Sequence, residues 1–255
     1  MSDTSRRGFL RQLAAAGIAA LAGEGLGCGT RSPVLPGSPT AYKATATVQP
    51  TPRSLQSSQA MQRIRLPVPH TKGSVSLEET LARRHSVRSY KRDQPMEMAL
   101  IAQLFWAAQG ETRHWGGRTA PSAGALYPLE VYAATDRLLY RYVPSGHGAD
   151  IAAEEDLRDA LWAAGLRQHS LALAPVIFVI TSVVQRTAAR YGERAERYVH
   201  LEAGHAAENL LLQAVALGLG AVVIGAFRNE QIAGALHLAD GESPLYLIPV
   251  GYRDE

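Results

Sequence analysis

After residue ~74 the apolar positions of this chain change period several times, and each change marks an element. Ser76-Leu77-Glu78-Glu79 sets a hydroxyl at an N-cap and a carboxylate three residues on, which predicts a helix to about Arg84. Pro95 opens a second helical pattern, with Leu100, Ile101, Leu104 and Phe105 on one side and Gly110 near its end. Residues 111–128 are loop-like. Residues 130–135 and 138–143 form a predicted hairpin about Asp136-Arg137. Helical spacing returns over 154–164. The run 175–182 is continuously apolar and β-branched, as in a strand buried on both faces. A long helix is predicted over 195–217, stopped by Gly218 or Gly220. A strand over 221–226, a helix over 230–236 and a last strand over 245–252 complete the domain. Helices and strands mix without strict alternation, so the fold class is α+β.

The region before this domain has a different character. Residues 29–73 are rich in Ser, Thr, Pro, Ala and Gln. Such a stretch buries too little apolar surface to offset ordering entropy, and it reads as a disordered tether whose Ile64-Arg65-Leu66-Pro67 is expected to touch the domain surface. Residues 1–28 read as an address. Arg6-Arg7 followed by Phe9-Leu10 resembles a twin-arginine export signal, and the apolar run from Leu13 to Leu21 is too short to span a bilayer. Gly25-Leu26-Gly27-Cys28 resembles a lipobox, in which Cys28 would take a lipid anchor after cleavage. The expectation is a periplasmic or membrane-anchored protein facing outward.

Composition removes several function classes. Cys28 is the single cysteine, so an intrachain disulfide and a Cys-based zinc site are excluded. The formal net charge of +3 falls to about +2 without residues 1–28, which is no footprint for nucleic acid. Glu202, His205 and Asn209 stand at helical spacing, but no further carboxylates accompany them, so no metal is expected and buried hydrogen bonding at a subunit interface is the better reading. His114, Trp115 and Trp162 are candidate pocket residues. Ser86 and Ser122 lie in no Gly-x-Ser-x-Gly elbow, which argues against a hydrolase.

Three segments carry candidate chemistry. Arg83-Arg84-His85-Ser86-Val87-Arg88 gathers guanidiniums and a hydroxyl suited to a phosphate dianion, though on local grounds alone a solvated basic helix end is the better explanation. The small residues of Pro121-Ser122-Ala123-Gly124 allow close backbone approach to a flat ligand. In Gly218-Leu219-Gly220-Ala221-Val222-Val223-Ile224-Gly225-Ala226 the glycines follow a helix and open a strand, the reverse of a dinucleotide fingerprint.

In order, "RRHSVRSY", "PSAGALYPLE", "GLGAVVIGAF" and "PLYLIPVGY" resemble the nitroreductase superfamily, and within it the SagB-type (ThcOx-like) dehydrogenases. The resemblance covers residues ~76–252. It implies a three-layer α/β sandwich that dimerises through long helices, with FMN at each subunit interface. By position, Arg84, His85, Ser86 and Arg88 would hold the FMN phosphate, ribityl chain and part of the ring. Pro121, Ser122, Ala123 and Gly124 would meet the flavin held mainly by the other subunit, and Ile224, Gly225 and Ala226 would lie along the ring. Many relatives carry basic residues after the last strand; here Arg253 alone is available, which shifts the expectation toward Arg84 and Arg88. Azoline-oxidising relatives carry a Lys-Tyr pair before the long helix, and Arg190-Tyr191 stands in its place. Arg does not give up its proton, so Tyr191 is the candidate acid and azole formation on a peptide is disfavoured. The implied activity is ping-pong flavin redox on a small-molecule or peptide substrate. Free NAD(P)H is not expected outside the cytoplasm, so a quinone, dioxygen or a protein is the expected redox partner. The competing reading is a non-catalytic flavin- or ligand-binding lipoprotein on the same fold.

Overall fold

The computed structural model describes residues 61–91 and 94–254. The twin-arginine segment, Cys28 and the tether up to residue 60 lie outside the described residues. No helix among the described residues is long and apolar enough to cross a membrane.

Seven strands among the described residues, β1 (Arg63–Arg65), β2 (Leu129–Ala134), β3 (Leu139–Val143), β4 (Gly148–Ala153), β5 (Val176–Val183), β6 (Leu219–Ala221) and β7 (Glu242–Tyr252), form one sheet in the order β1-β4-β3-β2-β5-β7-β6, and every pairing is antiparallel. The central strand β5 (Val176–Val183) explains the layering. Val176, Phe178 and Ile180 face a core built with α2 (Met98–Gln109) and α6 (Ala195–Ala216). Ile177 and Val179 face a second core built with α3 (Arg158–Ala164), α4 (His169–Leu173) and α7 (Asn229–Ala235). Both faces are covered, so the strand reads as an unbroken apolar run. The result is the expected α+β sandwich of three layers. Helix α6 has no side-chain N-cap. Its stability comes from the stripe Val199, Ala203, Ala206, Leu210 and Ala214, all buried on the sheet, rather than from its ends.

Helix α1 (Leu77–Arg83) begins where the capping pattern predicts, with the Ser76 hydroxyl accepting from the Glu79 N–H at 3.1 Å. The hairpin of β2 (Leu129–Ala134) and β3 (Leu139–Val143) also stands as read. Helix α2 starts at Met98 rather than at Pro95. Strand β4 (Gly148–Ala153) was invisible in the pattern because Gly, Ala and Asp are weak strand formers, and pairing on both sides makes it a strand. Helix α5 (Gln185–Tyr191) and α4 are too short to show a period. Strand β6 is Leu219–Ala221, not 221–226. Gly218 turns the chain out of α6 with a φ of 74°, so pairing starts at once and then survives only as a bridge from Ile224 to Leu247. Strand β7 (Glu242–Tyr252) extends three residues earlier than expected.

The boundary drawn at 73/74 moves. Residues 61–73 belong to the domain: β1 (Arg63–Arg65) pairs with β4, Leu66 is 3% exposed, and the His70 amide donates to Gln103 at 2.8 Å. The contact expected of Ile64-Arg65-Leu66-Pro67 is thus an edge strand and a buried leucine of the domain itself, which the polar composition around them masks. Leu66→Ala is expected to lower unfolding free energy in urea by about 2–5 kcal/mol, as for other buried leucines; an unchanged midpoint would show that this segment is not part of the folded unit.

Candidate functional site

The sequence-predicted residues fall into two clusters. In the first, the segment after α1 runs beside β6. The Val87 amide donates to the Ala221 carbonyl at 3.0 Å, and the buried Tyr90 hydroxyl shares its one proton between the carbonyls of Val87 (2.7 Å) and Pro249 (3.0 Å). Gly220 is a strand residue here because Val87 occupies the space of a side chain: an added Cβ would stand 2.5 Å from Val87 Cγ1 and 3.2 Å from Arg253 Cγ. Arg84, His85, Ser86 and Arg88 are thereby brought to one edge with Arg253. Arg84 pairs with Glu208 of α6 at 3.2 Å. His85, Ser86 and Arg88 are exposed. Arg253 is pinned by its Nε donating to the Leu219 carbonyl at 3.1 Å, while its Nη2 is buried with no hydrogen-bond partner.

Gly225 lies further along the same stretch. An added Cβ there would meet nothing closer than Tyr246 Cε1 at 3.9 Å, so its backbone is approachable. His200 and Ala203 of α6 line a pocket with Gly225 and Tyr246. A half-buried guanidinium with one buried, unpaired nitrogen, two further cations with a hydroxyl, and an open glycine backbone fit a ligand that carries phosphate at one end and a flat group at the other.

The second cluster surrounds residues 121–127. Gly124, Ala125 and Tyr127 all have positive φ (63°, 54° and 47°), a conformation that costs free energy at the two non-glycine positions. Local bonds hold it: the Ser122 carbonyl accepts from the Ala125 amide at 3.0 Å, and the Ser122 hydroxyl accepts from the Tyr127 amide at 2.9 Å. Tyr127 is clamped by the Arg118 guanidinium 4.3 Å over its ring and by the Arg118 amide donating to its hydroxyl at 3.1 Å. Arg190 and Tyr191 stand directly on this loop, since a Cβ at Gly124 would lie 3.0 Å from Tyr191 Oη and 3.2 Å from Arg190 Nη1. Tyr191 packs edge-on against Tyr198 at 4.9 Å.

Arg118 and Glu202 complete this cluster, and neither role was read from sequence. Glu202 is 2% exposed within a single chain, so it belongs to this domain's interior rather than to a subunit interface. Its phase beside Val199, Ala203 and Ala206 on the buried side of α6 was the available signal. Burial pushes its carboxyl up to about 7, partly offset by the Ser122 hydroxyl and the charge of Arg118. His205, three residues on, is exposed. No group of three or more His, Cys, Asp or Glu side chains converges among the described residues. Trp115 is exposed and Trp162 packs against the core beneath α3, so His114, Trp115 and Trp162 do not share a pocket.

The two clusters meet different faces of α6. Arg84 pairs with Glu208, whereas Ser122 lies against Glu202. Six residues at about 100° each set these positions roughly 120° apart round the helix. The body of α6 therefore separates Arg84–Arg88 and Arg253 from Pro121–Gly124, Arg190 and Tyr191.

Residues 81–252 match the profile of the Nitroreductase family. A nitroreductase-type protein of Methanocaldococcus jannaschii is 38% identical over 187 residues, covering 71% of this chain and 93% of its own. A solved nitroreductase-type structure from Ralstonia eutropha is 32% identical with a TM-score of 0.68, covering 76% of this chain and 90% of that one. The Escherichia coli microcin synthetase complex shares the fold at 19% identity and a TM-score of 0.61, covering 83% of this chain and 85% of the matched one.

The buried carboxyl has a stability signature. Below the ordinary carboxylate range, folded and unfolded states both hold the proton. As pH rises toward 7 the unfolded chain releases it first, so stability falls through that window and levels off above it. Glu202→Gln has no such proton, and its melting temperature relative to the parent is expected to rise between about pH 5 and about pH 8. Parallel melting profiles for the two proteins would contradict this.

Proposed function

The chain belongs to the nitroreductase family, and on that premise we propose that this oxidoreductase is an FMN-dependent dehydrogenase of the SagB type, working as a homodimer outside the cytoplasm. The observation that carries the cofactor assignment is the half-buried Arg253, fixed by Leu219 through Nε and with its buried Nη2 unpaired, beside Val87 and Gly220 at the edge that presents Ser86 and Arg88. These residues would hold the phosphate. The Ile224–Ala226 backbone would lie along the ring, with Gly225 leaving it room. When bound, FMN supplies two-electron redox chemistry.

The dimer follows from the division of the site. One chain cannot bring its 121–124 loop to its own arginine cluster through the body of α6, but a two-fold pair of chains can present the loop of each to the cluster of the other. Leu77 and Leu81 on α1 and Leu201 on α6 are exposed apolar side chains on the helices that would meet. The loop then brings Arg190 and Tyr191 to the site: Arg190 as a fixed positive charge, Tyr191 as a hydrogen-bond donor or acid toward substrate. Donor and acceptor use the site in turn, in ping-pong order. Arg6-Arg7 directs export and Cys28 carries a lipid anchor, with residues 29–60 as spacer. Outside the cytoplasm the redox partner is a quinone, dioxygen or a protein, and the substrate is a small molecule or peptide.

The purified protein is expected to show bound flavin by absorbance. Arg88→Ala and Arg253→Ala are each expected to weaken FMN binding about 10- to 100-fold, the loss of one charge-assisted contact. Protein that is colourless and takes up no added FMN would favour a binding protein of another kind. Turnover of a model nitro-compound with NADH is expected to be slow, and rapid turnover at low NADH would contradict the assigned redox partner.

A further inference from the structure

From Ile224 to Arg228 the chain is held at both ends and at one point between. Ile224 exchanges backbone hydrogen bonds with Leu247 of β7 at 2.8 and 3.0 Å, and the Arg228 amide donates to the Ala164 carbonyl at the end of α3 at 2.9 Å. The hold between them comes from a side chain. Gln168 Nε2 donates to the Ala226 carbonyl at 2.9 Å and to the Gly165 carbonyl at 3.0 Å. A side-chain amide nitrogen carries two hydrogens, so Gln168 uses both on this pair of carbonyls. The amides of Gly225, Ala226 and Phe227 donate to no backbone carbonyl among the described residues.

The direction of that hold decides where one of these amides points. Gln168 stands between α3 and α4, in the layer on one face of the sheet, whereas α6 lies in the layer on the other. In a trans peptide the C=O and the N–H point opposite ways. With the Ala226 carbonyl turned to Gln168, the Phe227 amide is turned away from it, toward α6. Gly225 and Phe227 line the pocket on that side together with His200 and Ala203 of α6. The Ile224 carbonyl accepts from Leu247, so the Gly225 amide likewise points away from β7.

We propose that Gln168 is a positioning residue: by holding the Ala226 carbonyl it keeps the Phe227 amide as a fixed donor to the flavin ring, and so favours the reduced ring. This rests on the flavin reading above, in which residues 224–226 lie along that ring. Reduction adds electrons to the ring and strengthens its acceptors, so a donor already aimed at one of them is worth more to the reduced ring than to the oxidised ring. Without Gln168 the Ala226–Phe227 peptide keeps no hydrogen bond that sets its direction, and its N–H turns to water as readily as to the ring.

The test is the reduction potential of FMN bound to the intact chain at saturating FMN, for the parent, Gln168→Ala and Gln168→Met. Methionine keeps the length of the side chain without its two N–H donors, so the test stands even where the alanine variant fails to fold. Both variants are expected to hold FMN, because Ser86, Arg88 and Arg253 are unaltered. Relative to oxidised FMN, they are expected to bind the reduced form about 3- to 10-fold more weakly than the parent does, the worth of one hydrogen bond. At about 30 mV per tenfold change for a two-electron couple, that is a potential lower by about 15–30 mV. An unchanged or raised potential in a variant that holds FMN overturns the proposal and leaves the flavin reading intact. Loss of FMN from the folded methionine variant overturns it as well, since Gln168 would then hold the site together rather than aim a donor. A parent that binds no FMN defeats the flavin reading, and the proposal with it.

Discussion

The burial of one face of α6 against the sheet sets the position of every group that a ligand would meet. Val199, Ala203, Ala206, Leu210 and Ala214 lock the rotation of a 22-residue helix. Small side chains at three of these positions let it lie close on β5 and β7. Once that rotation is fixed, Glu202 has to point inward at the 121–127 loop and Glu208 has to point toward Arg84. The segment after α1 and the loop before β2 are thus positioned from one rigid element, although no described contact joins them to each other.

Strain and desolvation concentrate on the loop side. Positive φ at Ala125 and Tyr127 is tolerated because Ser122, Arg118 and Tyr127 hold one another. Glu202 adds a buried carboxyl that gives up solvation. Neither feature improves stability, and a tight apolar loop would be a cheaper way to join α2 to β2. Features retained at such cost are found where a surface has to be held in a shape that its sequence would not adopt alone. On the cation side the same holds for the half-buried Arg253, whose Nη2 is buried and unpaired.

Much of this was legible in the sequence, for physical reasons that can be named. The Ser76 cap, the apolar run of β5 and the period of α6 are local signals, and each stands where it was read. Strand β4 and residues 61–73 were not legible, because pairing and docking rather than their own composition order them. The shift of β6 came from taking Gly220 for a helix stop, when Val87 from a distant segment is what requires a glycine there. In the site, Arg84–Arg88 and Pro121–Gly124 are each continuous in sequence, so each stretch was legible as a unit, whereas the approach of Arg190-Tyr191 to Gly124 was not. Nor were the roles of Arg118 and Glu202, because each depends on which way a side chain turns in three dimensions.

The proposed function turns on a division of labour, in which one chain carries both halves of a site on different faces of α6 and a second chain completes each. The measurement that tests this most directly is complementation between two defective chains, one with Arg88→Ala and Arg253→Ala, the other with Gly124→Val, which blocks the loop. If each site takes its arginines from one subunit and its loop from the other, each mixed dimer contains one wild-type site. Co-expression should then restore FMN to about a quarter of all sites for random pairing. If both halves of a site come from a single chain, no mixed dimer has an intact site. Flavin content that stays at the level of the separate variants, in a preparation shown to contain mixed dimers, would contradict the account.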